Sequence, residues 1–233
     1  DGLGPGLRAA GACLYYLGET QKGRLPHVRR LRRYRADGHL SLDSATKRNL
    51  ELVAPMHGAG SGPGRDGSLV AVLDQTLTPM GGRLLRQWLV RPLRDVGRIT
   101  GRLDAVEAFH GDARLRRAVR DSLKRVGDVE RLIGKVATAR ATPRDLVALG
   151  RALAHVPDIK ATLAGSAVGF LSRLDGRLDP CAAVAETIAG TLVDEPPASV
   201  AQGGAVREGV SDELDHLRTV SGDAKAFLAR LQA

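Results

Sequence analysis

Six times along the chain, a residue able to cap a helix stands just before a stretch whose apolar residues recur every three or four positions. The caps are Asp43, Thr78, Asp95, Asp128, Thr142 and Ser211. A side-chain oxygen at such a position accepts a hydrogen bond from a first-turn N–H that would otherwise lack a partner. At Thr78-Pro79 and Thr142-Pro143 the next residue is proline, whose fixed φ and missing N–H suit the first helical position. The stripes that follow include Leu84, Leu85, Trp88 and Leu89, then Val96, Ile99, Leu103 and Val106. Further on come Leu132, Ile133 and Val136, then Leu146, Leu149, Leu153 and Val156. A helix with one apolar face has to bury it against another element.

Further stripes extend the pattern. Leu7, Ala10, Leu14 and Leu17 form one, ended by Lys22-Gly23 and Leu25-Pro26; Leu115, Val119 and Leu123 form another. Leu171, Leu174 and Leu178 are followed by Val184, Ile188 and Leu192 behind Asp179-Pro180. Ser211 opens a long final stretch with Leu214, Leu217, Val220, Phe227, Leu228 and Leu231. Only Leu40-Ser41-Leu42 and Ala205-Val206-Arg207 read as extended pieces. The expected fold is therefore all-α, a multi-helix core bundle with at most one small strand pair. Helix should exceed half the residues, against ~30–35% in ordinary domains. No segment repeats at a fixed period, which excludes a solenoid. Four segments are expected: a helix of the core over 1–24, and a mixed stretch over 25–67 that ends in the Gly-rich run His57 to Gly67. The helical core then occupies 68–210, and a last helix 211–233. Leu85 and Trp88 are expected inside the core.

Among 233 residues, 35 are Lys or Arg and 26 Asp or Glu, a net charge of +9. The charge is uneven: from Asp175 to His216 nine acids face only Arg177 and Arg207. The densest basic stretch holds Arg24, Arg29, Arg30, Arg32, Arg33 and Arg35. Guanidinium forks bind phosphates, and positive charge favours polyanions, so Arg29, Arg30, Arg32 and Arg33 are candidate DNA-binding residues. Arg outnumbers Lys throughout, so a solvated basic face is the competing reading.

Catalytic patterns are missing. Gly134-Lys135 is followed by Val136 and lacks the upstream glycine of a phosphate-binding loop. His27, His39, His57, His110, His155 and His216 have no metal-ligand spacing. Asp121 with Asp128, and Asp212 with Glu213, could pair as carboxylates, yet helix first turns and polar faces explain them better. Cys13 and Cys181 make no CxxC pair, no apolar run approaches the ~20 residues that span a bilayer, and no signal peptide is visible. A soluble, reduced, cytoplasmic setting is expected. The chain starts at Asp1, and its last helical pattern carries no stop signal, so it reads as part of a larger protein.

Several stretches resemble one family. Leu42 to Leu52 (LDSATKRNLEL) is similar to the LDxxTxxNLEL segment of the MutS mismatch-repair family. Thr78 to Leu89 with Arg91-Pro92-Leu93 resembles its TPMGGRLLRxWLxxPL motif. Arg102 to Val106, Asp128 to Leu132, Arg140 to Leu146, the Pro196-Pro197 and Gly203-Gly204 turns, and Glu213 to Arg218 follow in family order. Two departures are local: the extra glycines after Leu52, and Gly209-Val210-Ser211 where the family usually has Gly-Tyr-Asp.

The resemblance implies the core or lever region, which links an ATPase end to a DNA clamp and has no catalytic residues, metal or cofactor of its own. ATP and Mg would belong to the parent protein, as would mismatched double-stranded DNA, a dimer partner, a MutL-type partner and a place near the bacterial nucleoid. The family's Phe-x-Glu mismatch-reading motif and its Walker-type domain have no counterpart among these residues. Two other functions stay open on the residues alone: an independent Arg-rich nucleic-acid-binding module, and a helical protein-interaction scaffold.

Overall fold

The computed structural model describes residues 4–21, 28, 30, 31, 38–56 and 67–231, the last nine as backbone. Helix makes up 66% of the described residues and no sheet forms among them. Two isolated antiparallel bridges, His39 with Leu93 and Leu192 with Val206, are the extended pairings. The chain divides into two units, 1–35 and 36–233. The first contains α1 (Gly4–Thr20), on which no described side chain is buried.

In the second unit the expected caps form. Asp43 accepts from Thr46 N at 2.6 Å to start α2 (Ser44–Asn49), and Thr78 accepts from Gly81 N at 3.1 Å to start α4 (Pro79–Val90). Between them lies α3 (Leu69–Leu73), capped by the fully buried Ser68 and missed by the sequence reading. Asp95 starts α5 (Val96–Gly111), and Asp112 starts α6 (Ala113–Leu123) by accepting from two main-chain N–H groups. Asp128 opens α7 (Val129–Ala137). At α8 (Pro143–Ala154) Thr142 and Asp145 form a reciprocal capping box.

The stripe read through Val156 is two helices. Pro157 has no N–H to continue α8, so the chain turns at His155 and restarts as α9 (Val156–Leu163). Then follow α10 (Gly169–Arg177), α11 (Ala182–Thr191), a 3-10 turn at Val200–Gln202, and α12 (Asp212–Leu231). The extended piece 205–207 pairs with the end of α11: Arg207 N donates to Thr191 O at 2.9 Å, and Val193 N to Ala205 O at 3.1 Å. The Gly-rich run lies outside the described residues over 57–66.

The core centres on Ala105, Leu163 and Leu171, with Ala108, Phe109, Val119, Ile159, Val168, Phe170 and Leu178 packed around them. Those residues come from α5, α6, α9 and α10 or their ends. A second contact joins α7, α8 and α11 around the buried Leu132, Leu149 and Ala152.

Two expectations about burial need correcting. On α5 the small Ala105 and Ala108 face the core together with Phe109, while Val96, Leu103 and Val106 are exposed. Small side chains let the neighbouring helices approach, so the most hydrophobic stripe is not the packed one. Trp88 is also outside the core: it is 36% exposed, and the Arg102 guanidinium sits 3.6 Å above its ring centroid. Leu85 on the same helix is half-buried. A ring about one-third exposed, in a cation–π contact at the surface, loses less on truncation than a core ring, so Trp88→Ala should cost about 1–2 kcal/mol in urea unfolding. A loss of about 3 kcal/mol or more would place the ring inside after all.

Candidate functional site

The sequence offers arginines as its main functional groups. Of the four candidates near the N-terminus only Arg30 is described, and it is exposed; Arg29, Arg32 and Arg33 lie outside the described residues. The structure gives other arginines and lysines a different role, tying successive helices to one another.

The first tie runs from α4 to α7. Arg83 reaches Asp128 with two N–H groups, at 2.9 and 2.7 Å, and also donates to Glu130 from Nε and Nη2 at 3.0 and 2.6 Å. Asp128 does two things at once, because its Oδ1 also accepts from Arg131 N at 3.2 Å as the cap of α7. The hydrogen bonds from Arg83 and from Arg131 N favour the charged carboxylate, which holds the Asp128 pKa down at about 2. The cap reading of Asp128 is correct, and its arginine partner was not foreseen because it is 45 residues away in sequence.

The second tie runs from α7 to α8. Lys135 Nζ donates to Asp145 Oδ1 at 2.7 Å, while Asp145 Oδ2 accepts from Thr142 N at 3.0 Å and from its hydroxyl at 2.8 Å. Lys135 first, then the Thr142 donors, hold the Asp145 pKa at about 2, below its unfolded value near 3.9. A depressed carboxylate stabilises the fold above the unfolded pKa, and that contribution is lost as pH falls toward the folded one. Asp145→Asn should therefore lower stability at neutral pH and flatten its decline between pH about 4 and 2. An unchanged acid limb in pH-dependent urea melts would count against the assignment.

From α8 the ties continue to the turn after α11. Arg144 Nε donates to Pro196 O at 2.9 Å, and Arg151 Nη2 to Asp194 O at 2.7 Å. These residues, with Val147, Ala148 and Glu195, line a cleft of about 400 Å³. Arg207 closes the turn by donating to Asp194 Oδ1 at 2.6 Å and to Ala189 O at 2.8 Å. Arg144, Arg151 and Asp194 of the cleft are thus engaged in holding the turn.

The last tie holds the start of α12. Ser211 Oγ accepts from Leu214 N at 3.3 Å, and Gly209 N donates to Asp215 Oδ2 at 2.6 Å. Arg218 bridges Asp215 at 2.7 Å and the Val206 carbonyl at 2.7 Å. The apolar spacing of α12 implies that its first turns pack on the domain, yet Leu217 and Val220 are 56% and 51% exposed. Polar contacts at the first turns anchor this helix where apolar packing was expected.

The arrangement joins α4, α7, α8, the turn over 192–207 and α12 in chain order. It offers no nucleophile beside a base, and no group of three or more His, Cys, Asp or Glu among the described residues is placed to hold a metal ion. No helix among the described residues is long and apolar enough to cross a membrane.

Residues 45–233 match the family description MutS domain III. The DNA mismatch repair protein MutS of Salinibacter ruber is 50% identical over 232 residues, covering 100% of this chain. Those of Syntrophobacter fumaroxidans and Brevibacillus brevis are 43% and 41% identical over 98% and 99% of it. The chain spans about a quarter of the length of these relatives.

Proposed function

Since the chain belongs to the MutS family, across the region of its domain III, we propose that it is the non-catalytic lever that couples nucleotide state to DNA engagement in its parent protein. The observation that carries the proposal is the run of polar ties from Arg83 on α4 to Arg218 on α12. Coupling between distant sites requires elements that move together, and each tie fixes one helix to the next through two or more hydrogen bonds or a capped ion pair. In this reading the parent hydrolyses ATP with Mg and binds mismatched double-stranded DNA through other domains. It works in the cytoplasm as a dimer with a MutL-type partner. The sequence of the chain carries no Walker-type phosphate loop, so in this reading the chain alone hydrolyses no ATP.

A double-mutant cycle in the parent protein tests the coupling. Arg83→Ala and Arg218→Ala should each weaken the stimulation of ATP hydrolysis by DNA, and the double variant should lose less than the two single losses combined. Strict additivity, with folding intact, would mean that the two ends act independently. The second reading, phosphate binding through Arg29, Arg30, Arg32 and Arg33, rests on the net charge and on the exposure of Arg30. Its own test is the loss of duplex binding when those four residues become Gln.

A further inference from the structure

Among the cations that the ties above leave without a carboxylate, four arginines gather in one cleft. Arg98 and Arg102 stand one turn apart on α5, Arg173 and Arg177 one turn apart on α10, and with Phe170 they line a cleft of about 240 Å³. The two helices pack together, and the Arg173 guanidinium lies across the junction. A Cβ added at Gly101 of α5 would stand 3.6 Å from its Nη2, and one at Gly169 3.5 Å from its Nη1. No carboxylate among the described residues lies within ion-pair distance of any of the four.

Two nearby acids are committed elsewhere. Asp175, between Arg173 and Arg177 in sequence, pairs with Lys160 at 3.2 Å. Asp95 caps α5 by accepting from Arg98 N at 2.8 Å. Arg102 lies over the face of Trp88, and its partial burial together with the charge of Arg98 pushes its pKa down. Four cations in one cleft, with no counter-charge among the described residues, form a site that is short of negative charge.

We propose that this cleft binds the phosphodiester backbone of a nucleic acid. Planar guanidinium groups grip phosphate or carboxylate oxygens with paired hydrogen bonds. The number and closeness of the arginines decide between the two. Crowded carboxylates raise one another's pKa and can shed charge by taking up protons. A nucleic-acid strand carries fixed charges that do not, one per ~3.4 Å of axis. Arginines one helical turn apart, about 6 Å along each axis, can each take a phosphate of the same strand. Contacts of this kind carry no sequence information, so binding is indifferent to sequence. The proposal does not depend on the lever reading.

Fluorescence anisotropy of the chain with a short labelled duplex, from about 50 to 200 mM salt, tests it. Each phosphate contact contributes about 0.9 to the log–log salt slope, so Arg173→Gln with Arg177→Gln should lower the slope by about two. Arg173→Lys with Arg177→Lys keeps the charge, so it should keep most of the slope while weakening binding. That pair also guards against a Gln variant that fails to fold, as judged by circular dichroism. Exposed Arg114 and Arg117 on α6, changed to Gln, should leave the slope unchanged.

Four results would overturn the proposal. One is a wild-type slope near zero. A second is a slope abolished by the Gln replacements at Arg29, Arg30, Arg32 and Arg33 and untouched by those at Arg173 and Arg177. The third is tighter binding of poly-L-glutamate than of DNA with the same arginine dependence, which would assign the cleft to an acidic protein segment. Tripolyphosphate separates the two sources of phosphate: it should compete poorly per charge, and competition equal to that of DNA would refute the backbone reading.

Discussion

Leu171→Ala should lower the free energy of unfolding by about 2–5 kcal/mol, in the upper part of that range. Leu171 is 1% exposed and sits among residues of α5, α6, α9 and α10. Its buried neighbour Ala105 has no side chain to swing into the vacancy, and the packed aromatics Phe109 and Phe170 are stiff. The cavity should therefore persist, and its cost adds to the lost transfer free energy of the removed methyl and methylene groups. Urea melts should show a lower midpoint with an unchanged slope. Leu174, less than one turn further on, is 38% exposed, and Leu174→Ala should cost about 1 kcal/mol or less. A loss at Leu171 below about 1 kcal/mol would mean that the core lies elsewhere.

Local signals in the sequence located the helices, because caps and stripes act within one or two turns. Asp43, Thr78, Asp95, Asp128 and Thr142 all bond the N–H groups their positions imply. The choice of packed face is a different question, decided by the neighbour. On α5 the 3-4-3 spacing of Val96, Ile99, Leu103 and Val106 is real, yet α10 approaches over alanines. Trp88 shows the same limit: its position four residues after Leu84 says which side of α4 it is on, and Leu84 is exposed too.

The ties between helices were the least legible part. Each joins residues 10 to 52 apart in sequence, and nothing near Arg83 announces Asp128, or near Arg144 the carbonyl of Pro196. The Arg98, Arg102, Arg173 and Arg177 cleft was hidden for the same reason. Counting charge along the chain drew attention to the dense run from Arg24 to Arg35, whereas folding concentrates arginines that sequence spreads over two helices. The uncovered apolar side chains on α5 and α12 fit a domain that spans about a quarter of its relatives' length.

Gly150→Val should destabilise by about 3 kcal/mol, and this change probes the contact between α8 and α11. Gly150 is buried on α8, and a Cβ added there would stand 2.8 Å from Ile188 Cγ2 and 3.2 Å from Ile188 Cβ on α11. Those atoms belong to a β-branched side chain with one strongly preferred rotamer in a helix, so they cannot turn aside. The helices would have to separate. Separation would also strain the bonds from Arg144 and Arg151 to the turn at 194–196, which depend on the same spacing. Helix propensity pulls the other way: an alanine in a helix interior gains about 1 kcal/mol over glycine. Gly134 on α7, where an added Cβ meets nothing within 4 Å, isolates that gain. Gly134→Ala should therefore stabilise by up to about 1 kcal/mol, while Gly150→Ala should destabilise. Adding Ile188→Ala to Gly150→Ala removes the clash, so the double variant should lose less than the two single losses combined. Equal effects of alanine at Gly134 and Gly150 would mean that α8 and α11 are not in close contact.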